Sequence, residues 1–240
     1  GITIQSAVAS FALGDVTVNL IDTPGHPDFI AEVVRSLRVL DAVILVVSAV
    51  EGVQPQTRRL AHALQAAGIP RLIFINKIDR VGARDEALLA QIAHSLRMRV
   101  LPMTRVTGLG TRHHEVFPIA LQDEAWQARC IDLLAASSDE VIAEYERQGG
   151  TLSAVYLGDV LRQQVATGEL TPVYFGSAIS GVGLADLLDG IREWLPRATA
   201  DAAAPLTGEV FKIAHRPSGE KLTFLRLFSG TLEMRQRLPL

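Results

Sequence analysis

The sequence predicts an α/β domain: a mostly parallel sheet with helices on both faces, broken by a helical insertion and followed by the start of an all-β barrel. Three observations predict it. Short apolar runs without alternation, at 42–49 (AVILVVSA), 71–75 (RLIFI) and 172–178 (PVYFGSA), read as strands covered on both faces. Amphipathic stretches of helical period lie between or after them, at 28–40, 54–67, 84–98 and 184–195, and this alternation suits parallel strands joined by right-handed crossovers. Near the C-terminus, 208–215 and 221–228 alternate as half-buried strands do.

Taken in order, 2–13 (ITIQSAVASFAL) and 16–21 (VTVNLI) read as strands around a Gly14-Asp15 turn, which predicts a β-hairpin. The helix over 54–67 stops at Gly68. Residues 100–121 are loop-rich and include GLGTRHHE, whereas 123–170 are mostly helical, so 100–171 reads as an insertion into a nucleotide-binding type of sheet. The predicted domains are 1–198, a linker at 199–206 and an incomplete barrel at 207–240, with Pro217-Ser218-Gly219 turning the first two barrel strands and a third strand beginning at 231.

Bulk composition narrows the class. With 48% hydrophobic and 20% charged residues and a mean hydropathy of +0.25, 240 residues can bury an ample core. A net charge of −3 offers no basic field for nucleic acid, although local patches could still meet RNA. The single cysteine, Cys130, sits in a helical pattern as a buried, inert thiol and fits a reducing cytosol. No apolar run reaches the length of about 18 residues that a membrane span needs, and GITIQSAVAS does not look like a signal peptide. The expected setting is the cytoplasm, away from membranes.

Three segments carry chemistry, each expected at the carboxyl end of a buried strand, where open α/β sheets bind ligands. The first is Asp22-Thr23-Pro24-Gly25-His26. An aspartate there can hold Mg²⁺ through water, Gly25 lets its backbone amide approach a phosphate, and His26 can position an attacking water or handle its proton. Alone, the pentapeptide could equally be a helix start with Asp and Pro in its first turn. The second is Asn76-Lys77-Ile78-Asp79. The Asp79 carboxylate can accept the N1–H and amino hydrogens of guanine, a donor pair that adenine lacks. Asn76 can bond the purine N7 and neighbouring loops, and the Lys77 stem can lie along the base. The third is Gly176-Ser177-Ala178, small enough for the Ala178 N–H to reach the guanine O6. By itself that tripeptide is an ordinary turn; the three in this order point to a nucleotide site.

The set resembles the DTPGH, NKID and GSA elements of translational GTPases, and GITI at residues 1–4 resembles the end of their first switch. The resemblance covers the whole chain. The insertion between NKID and GSA is like that of elongation factor G. EVFKIAHRPSGEKLTFLRLFSGTLEMRQRL is similar to the opening of that family's β-barrel domain, in wording nearer to the tetracycline-resistance ribosomal protection proteins, as are VVSAVEGVQPQTRRL and INKIDR. The resemblance implies a P-loop GTPase-type fold, GTP and GDP as ligands, and Mg²⁺ held with GTP by Thr3 and Asp22. It implies His26 as the catalytic residue beside an apolar gate that includes Ile2, and the ribosome as partner of a monomeric protein. The function it implies is GTP-driven release of tetracycline from the ribosome. An elongation-factor-G-like or release-factor-3-like protein, or a ribosome-binding module without nucleotide, remains the alternative.

One family element is missing from the sequence: no G-x-x-x-x-G-K-[ST] loop occurs, and the only lysines are Lys77, Lys212 and Lys221. In the family that loop precedes GITI. The chain therefore reads as a fragment, expected to bind GTP weakly or not at all. Other polar residues read as ordinary structure. His113-His114, with only Glu115 beside them, read as a solvated loop; His62 and His94 as surface residues; Trp126 and Trp194 as packing. Arg35, Arg38, Arg58 and Arg59 read as solvated faces, or as a surface for a GTPase-activating partner.

Overall fold

The computed structural model describes residues 7–23, 33, 36–199 and 201–237. They form two compact units, one from 42–196 and one from 1–41 with 197–240.

The larger unit is built on four parallel strands in the order β3-β4-β8-β5 (β3 Val43–Ser48, β4 Arg71–Asn76, β5 Arg99–Pro102, β8 Leu170–Phe175). Successive β4 side chains point to opposite faces. Ile73 and Ile75 enter a core with Leu45, Val47 and Phe175, closed by Leu88, Leu89, Ile92 and Leu96 of α2 (Glu86–Leu96) and by Ala61 of α1 (Pro55–Ala66). Leu72 and Phe74 enter the opposite core. There they meet Trp126 and Leu134 of α3 (Glu124–Ala135), Val141 of α4 (Asp139–Arg147), Leu161 of α5 (Ala154–Ala166) and Trp194 of α6 (Leu184–Trp194). Helices thus cover both faces of β4 and β8, which is why these strands read as unbroken apolar runs, whereas Val46 of β3 stays exposed.

Local chemistry sets the helix boundaries. Pro55 occupies the first turn of α1, where its missing N–H costs nothing. The Asp123, Ser138 and Ser153 side chains accept the N–H groups of Trp126, Val141 and Tyr156 and start α3, α4 and α5.

The loop expected over 100–121 contains three strands. β5 joins the main sheet beside β8, and β6 (Thr104–Thr107) pairs with β7 (Glu115–Pro118). Each is four residues long, too short for its period to show. The insertion therefore departs from the sheet after β5 rather than at 100.

In the smaller unit, β1 (Ala7–Leu13) and β2 (Val16–Asp22) form the expected hairpin around a left-handed Gly14. The expectation that Asp22 ends a buried strand of the parallel sheet is corrected. β2 lies antiparallel to β1 in a two-stranded sheet and is exposed or half-buried along its length. β9 (Thr207–His215) and β10 (Lys221–Ser229) pair as expected. The third barrel strand does not form within 231–237, where a turn interrupts the chain. Most of the helix expected at 28–40 lies outside the described residues.

Candidate functional site

β4 and β8 end side by side, and the loops beyond them are stitched together. Gly176 N–H donates to the Ile75 carbonyl at 2.9 Å, and Ile78 N–H to the Gly176 carbonyl at 3.4 Å. Asn76 Oδ1 accepts two backbone donors, Lys77 N–H at 2.7 Å and Ala178 N–H at 2.9 Å. The first holds Lys77 at φ +70°, a conformation unfavourable to a residue with a Cβ. The glycine at 176 answers a close approach: a Cβ there would come within 2.6 Å of the Phe74 ring and of the Val182 carbonyl. Ala178 N–H is bonded to Asn76, which acts as a latch between the loops.

Asp79 follows this latch. The Ser177 hydroxyl, foremost, holds its carboxyl below the usual carboxylate range, helped by its own backbone amide and by Arg80, whose Nε lies 3.6 Å from Oδ2; partial burial opposes them. Asp79 Oδ1 is nevertheless buried and accepts no hydrogen bond. A buried anionic acceptor without a donor is costly, and a ligand that uncovered it and supplied donors would relieve that cost. Ile78 is wholly buried and anchors the turn. Lys77 Nζ pairs with Glu51 Oε1 at 3.0 Å, with both side chains about half exposed. Lys77 and Asp79 line an open cavity of about 650 Å³ with Val50, Glu51, Arg80, Val81, Gly110, Thr111 and Arg112.

The structure brings Asn76, Lys77, Ile78, Asp79, Ser177 and Ala178 together at the strand ends of the larger unit. Asp22, exposed, and Thr23, half-buried, close β2 in the smaller unit. Thr3, Pro24, Gly25 and His26 lie outside the described residues, as do Ile2 and Arg35. Arg38, Arg58 and Arg59 are exposed, as are His62 and His94; Trp126 and Trp194 are buried. Among the described residues, no three His, Cys, Asp or Glu side chains gather as a metal site, and no helix is long and apolar enough to cross a membrane.

His114 corrects one expectation. It is buried, with Nδ1 2.9 Å from the Thr111 carbonyl and Nε2 2.9 Å from Ser180 Oγ, so it is not part of a solvated loop. Glu51, Arg80, Thr111 and Arg112 are not legible in the sequence as site residues, because they line the cavity only through contacts between distant loops. The glycine-rich GLGTRHHE stretch is the one sequence signal that points toward them.

A parallel sheet packed between helices, with a cleft carrying charged side chains at its strands' carboxyl ends, defines a nucleotide-binding type of α/β domain. The chain belongs to the family of the elongation factor Tu GTP binding domain, whose pattern matches residues 1–197. It is 46% identical over 241 residues to the oxytetracycline resistance protein of Streptomyces rimosus, covering 100% of this chain and 36% of that protein. It is 41% identical to the tetracycline resistance protein TetM of Streptomyces lividans (99% and 37% covered) and 38% identical to TetW of Butyrivibrio fibrisolvens (100% and 36%). The chain thus spans little more than a third of these relatives. A crystal structure of a protein from Thermus thermophilus superposes with a TM-score of 0.81 at 24% identity, over 95% of this chain and 38% of that one, a likeness of fold.

Proposed function

We propose that this chain is the nucleotide-binding part of a ribosome-dependent GTPase that releases tetracycline from the ribosome. The observation that carries the guanine reading is Asp79 Oδ1, buried without a donor beside an open cleft. Guanine would supply N1–H and amino hydrogens to this carboxylate, Lys77 would lie along the base, and the Asn76–Ala178 latch would hold both loops at the base's edge. Tetracycline protection rests on the resistance proteins named above.

Asp22 is a single exposed carboxylate at a strand end, which fits an ion that keeps most of its waters and takes few protein ligands. Asp22, with Thr3, would hold Mg²⁺, which when bound neutralises charge on the phosphates. Gly25 would bond the γ-phosphate through its amide, and His26 would orient the attacking water. Loss of that phosphate would free the segments around Thr3 and Gly25, and with them the ribosome.

The test uses the longest protein the gene encodes. It should hydrolyse GTP faster with ribosomes and restore translation in the presence of tetracycline. Asp79→Asn exchanges an acceptor for a donor and should shift preference from GTP to XTP; an unchanged preference overturns the guanine reading. His26→Ala should bind GTP normally yet lose most ribosome-stimulated turnover. Stimulated hydrolysis without tetracycline protection would overturn the resistance role.

A further inference from the structure

The loop between β6 and β7 takes no part in the family motifs, yet it is tied to both base loops. Gly110 N–H donates to the Ile78 carbonyl at 2.8 Å, and Thr111 lines the cavity beside Asp79. Gly108, at φ +62°, makes the return possible, since a Cβ there would lie 2.3 Å from the His113 carbonyl. His114 makes the remaining tie, to Ser180, which is 66 residues away.

The hydrogen bonds orient the imidazole. The Thr111 carbonyl can only accept, so Nδ1 carries the hydrogen; in the neutral ring Nε2 then accepts the Ser180 hydroxyl. Ser180 Oγ in turn faces Val182 N–H at 3.4 Å, and Ser177 Oγ faces Ser180 N–H at 3.4 Å. Ser177 follows Gly176, whose carbonyl accepts Ile78 N–H at 3.4 Å, so its segment is tied to the turn that leads to Asp79. A path of hydrogen bonds therefore runs from His114 through Ser180 to Ser177, on the segment tied to the turn before Asp79. A histidine serving only its own loop would bond within 108–114, whereas this one divides its two nitrogens between that loop and the Gly176–Ser180 segment.

We propose that the 108–114 loop is an additional wall of the base site, and that His114 is a positioning residue that fixes Ser180, and through it Ser177, so that Asp79 selects guanine. This rests on the guanine reading above. His114 touches no nucleotide in this scheme and acts through the serines.

The experiment is equilibrium titration of the longest protein the gene encodes with GDP and IDP, the latter lacking the 2-amino group that Asp79 would read. His114→Ala and Ser180→Ala should each weaken GDP binding by about tenfold, the scale of one lost hydrogen bond in a buried network. IDP binding should fall less, so the GDP-to-IDP preference shrinks. His114→Gln, which keeps a polar atom toward Ser180, should regain most of that preference. A structural role alone would leave the ratio untouched. A wild-type ratio in both alanine variants overturns the proposal, and if His114→Ala does not fold, Ser180→Ala decides alone. Asp79→Asn separates the two readings. If it exchanges guanine for xanthine while His114→Ala changes nothing, only the role of His114 fails; if it changes nothing, the guanine reading fails first.

Discussion

Asn76 Oδ1 accepts the Ala178 backbone N–H at 2.9 Å, a bond between residues 102 positions apart. The same oxygen takes Lys77 N–H at 2.7 Å. One side chain therefore fastens the loop after β4 to the loop after β8 and holds the left-handed turn that leads to Asp79.

Replacing Asn76 with Ala should leave two backbone donors without their acceptor. Since Ala178 is exposed and Lys77 half-buried, water would recover part of the loss, so a cost of about 1–2 kcal/mol is expected. Urea unfolding measures it. Affinity for guanine nucleotides should fall more steeply than stability, because the latch positions both loops.

The 240 residues contain no G-x-x-x-x-G-K-[ST] sequence to cradle the α- and β-phosphates. The chain of this length is expected to bind a non-hydrolysable GTP analogue weakly or not at all in calorimetric titration. Low-micromolar binding would show that the base loops hold the nucleotide without such a cradle.

Alkali should destabilise the larger unit. Burial pushes the Cys130 thiol up to about 12 from 9.0 and raises the Tyr174 phenol as well, both in the core beneath α3 and α6. The unfolded chain loses these protons first, so it binds fewer protons than the folded chain, and stability falls as pH rises from about 9 toward about 12. Below that window these groups contribute no slope. Urea midpoints measured across the window should drop, and Cys130→Ala should flatten part of the decline. Thiol reagents should leave Cys130 untouched until the core opens.

In the smaller unit, Arg226 grips Asp41 with both nitrogens, at 2.7 and 2.8 Å, donates to the Val39 carbonyl at 2.9 Å, and lies over the Phe228 ring at 5.6 Å. The pair is partly exposed, at 26% and 44%, so the ion pair itself is worth little. Arg226→Ala is expected to cost about 1 kcal/mol, and Arg226→Lys nearly as much, because an ammonium cannot reproduce the planar fork. Thermal unfolding of the two variants at matched salt tests this; a lysine variant as stable as wild type would show that charge alone suffices.

The sequence by itself determined the parts that depend on neighbours along the chain. Unbroken apolar runs mark β3, β4 and β8, in β4 and β8 because helices cover both their faces, and helical period marks α1, α2 and α6. Gly14 marks the first hairpin, and the NKID and GSA segments mark the strand ends that meet. Other matters stay open for the same reason. Strands of four residues, β5 to β7, carry too little pattern to be seen, and in β2 the apolar residues outweigh the polar ones, which conceals how exposed the strand is. Only the tertiary structure decided that Ala178 spends its N–H on Asn76, that Asp79 keeps a buried oxygen unbonded, and that His114 reaches Ser180. Such bonds join residues tens of positions apart, where period carries no information, and they exist only once packing has brought the loops together.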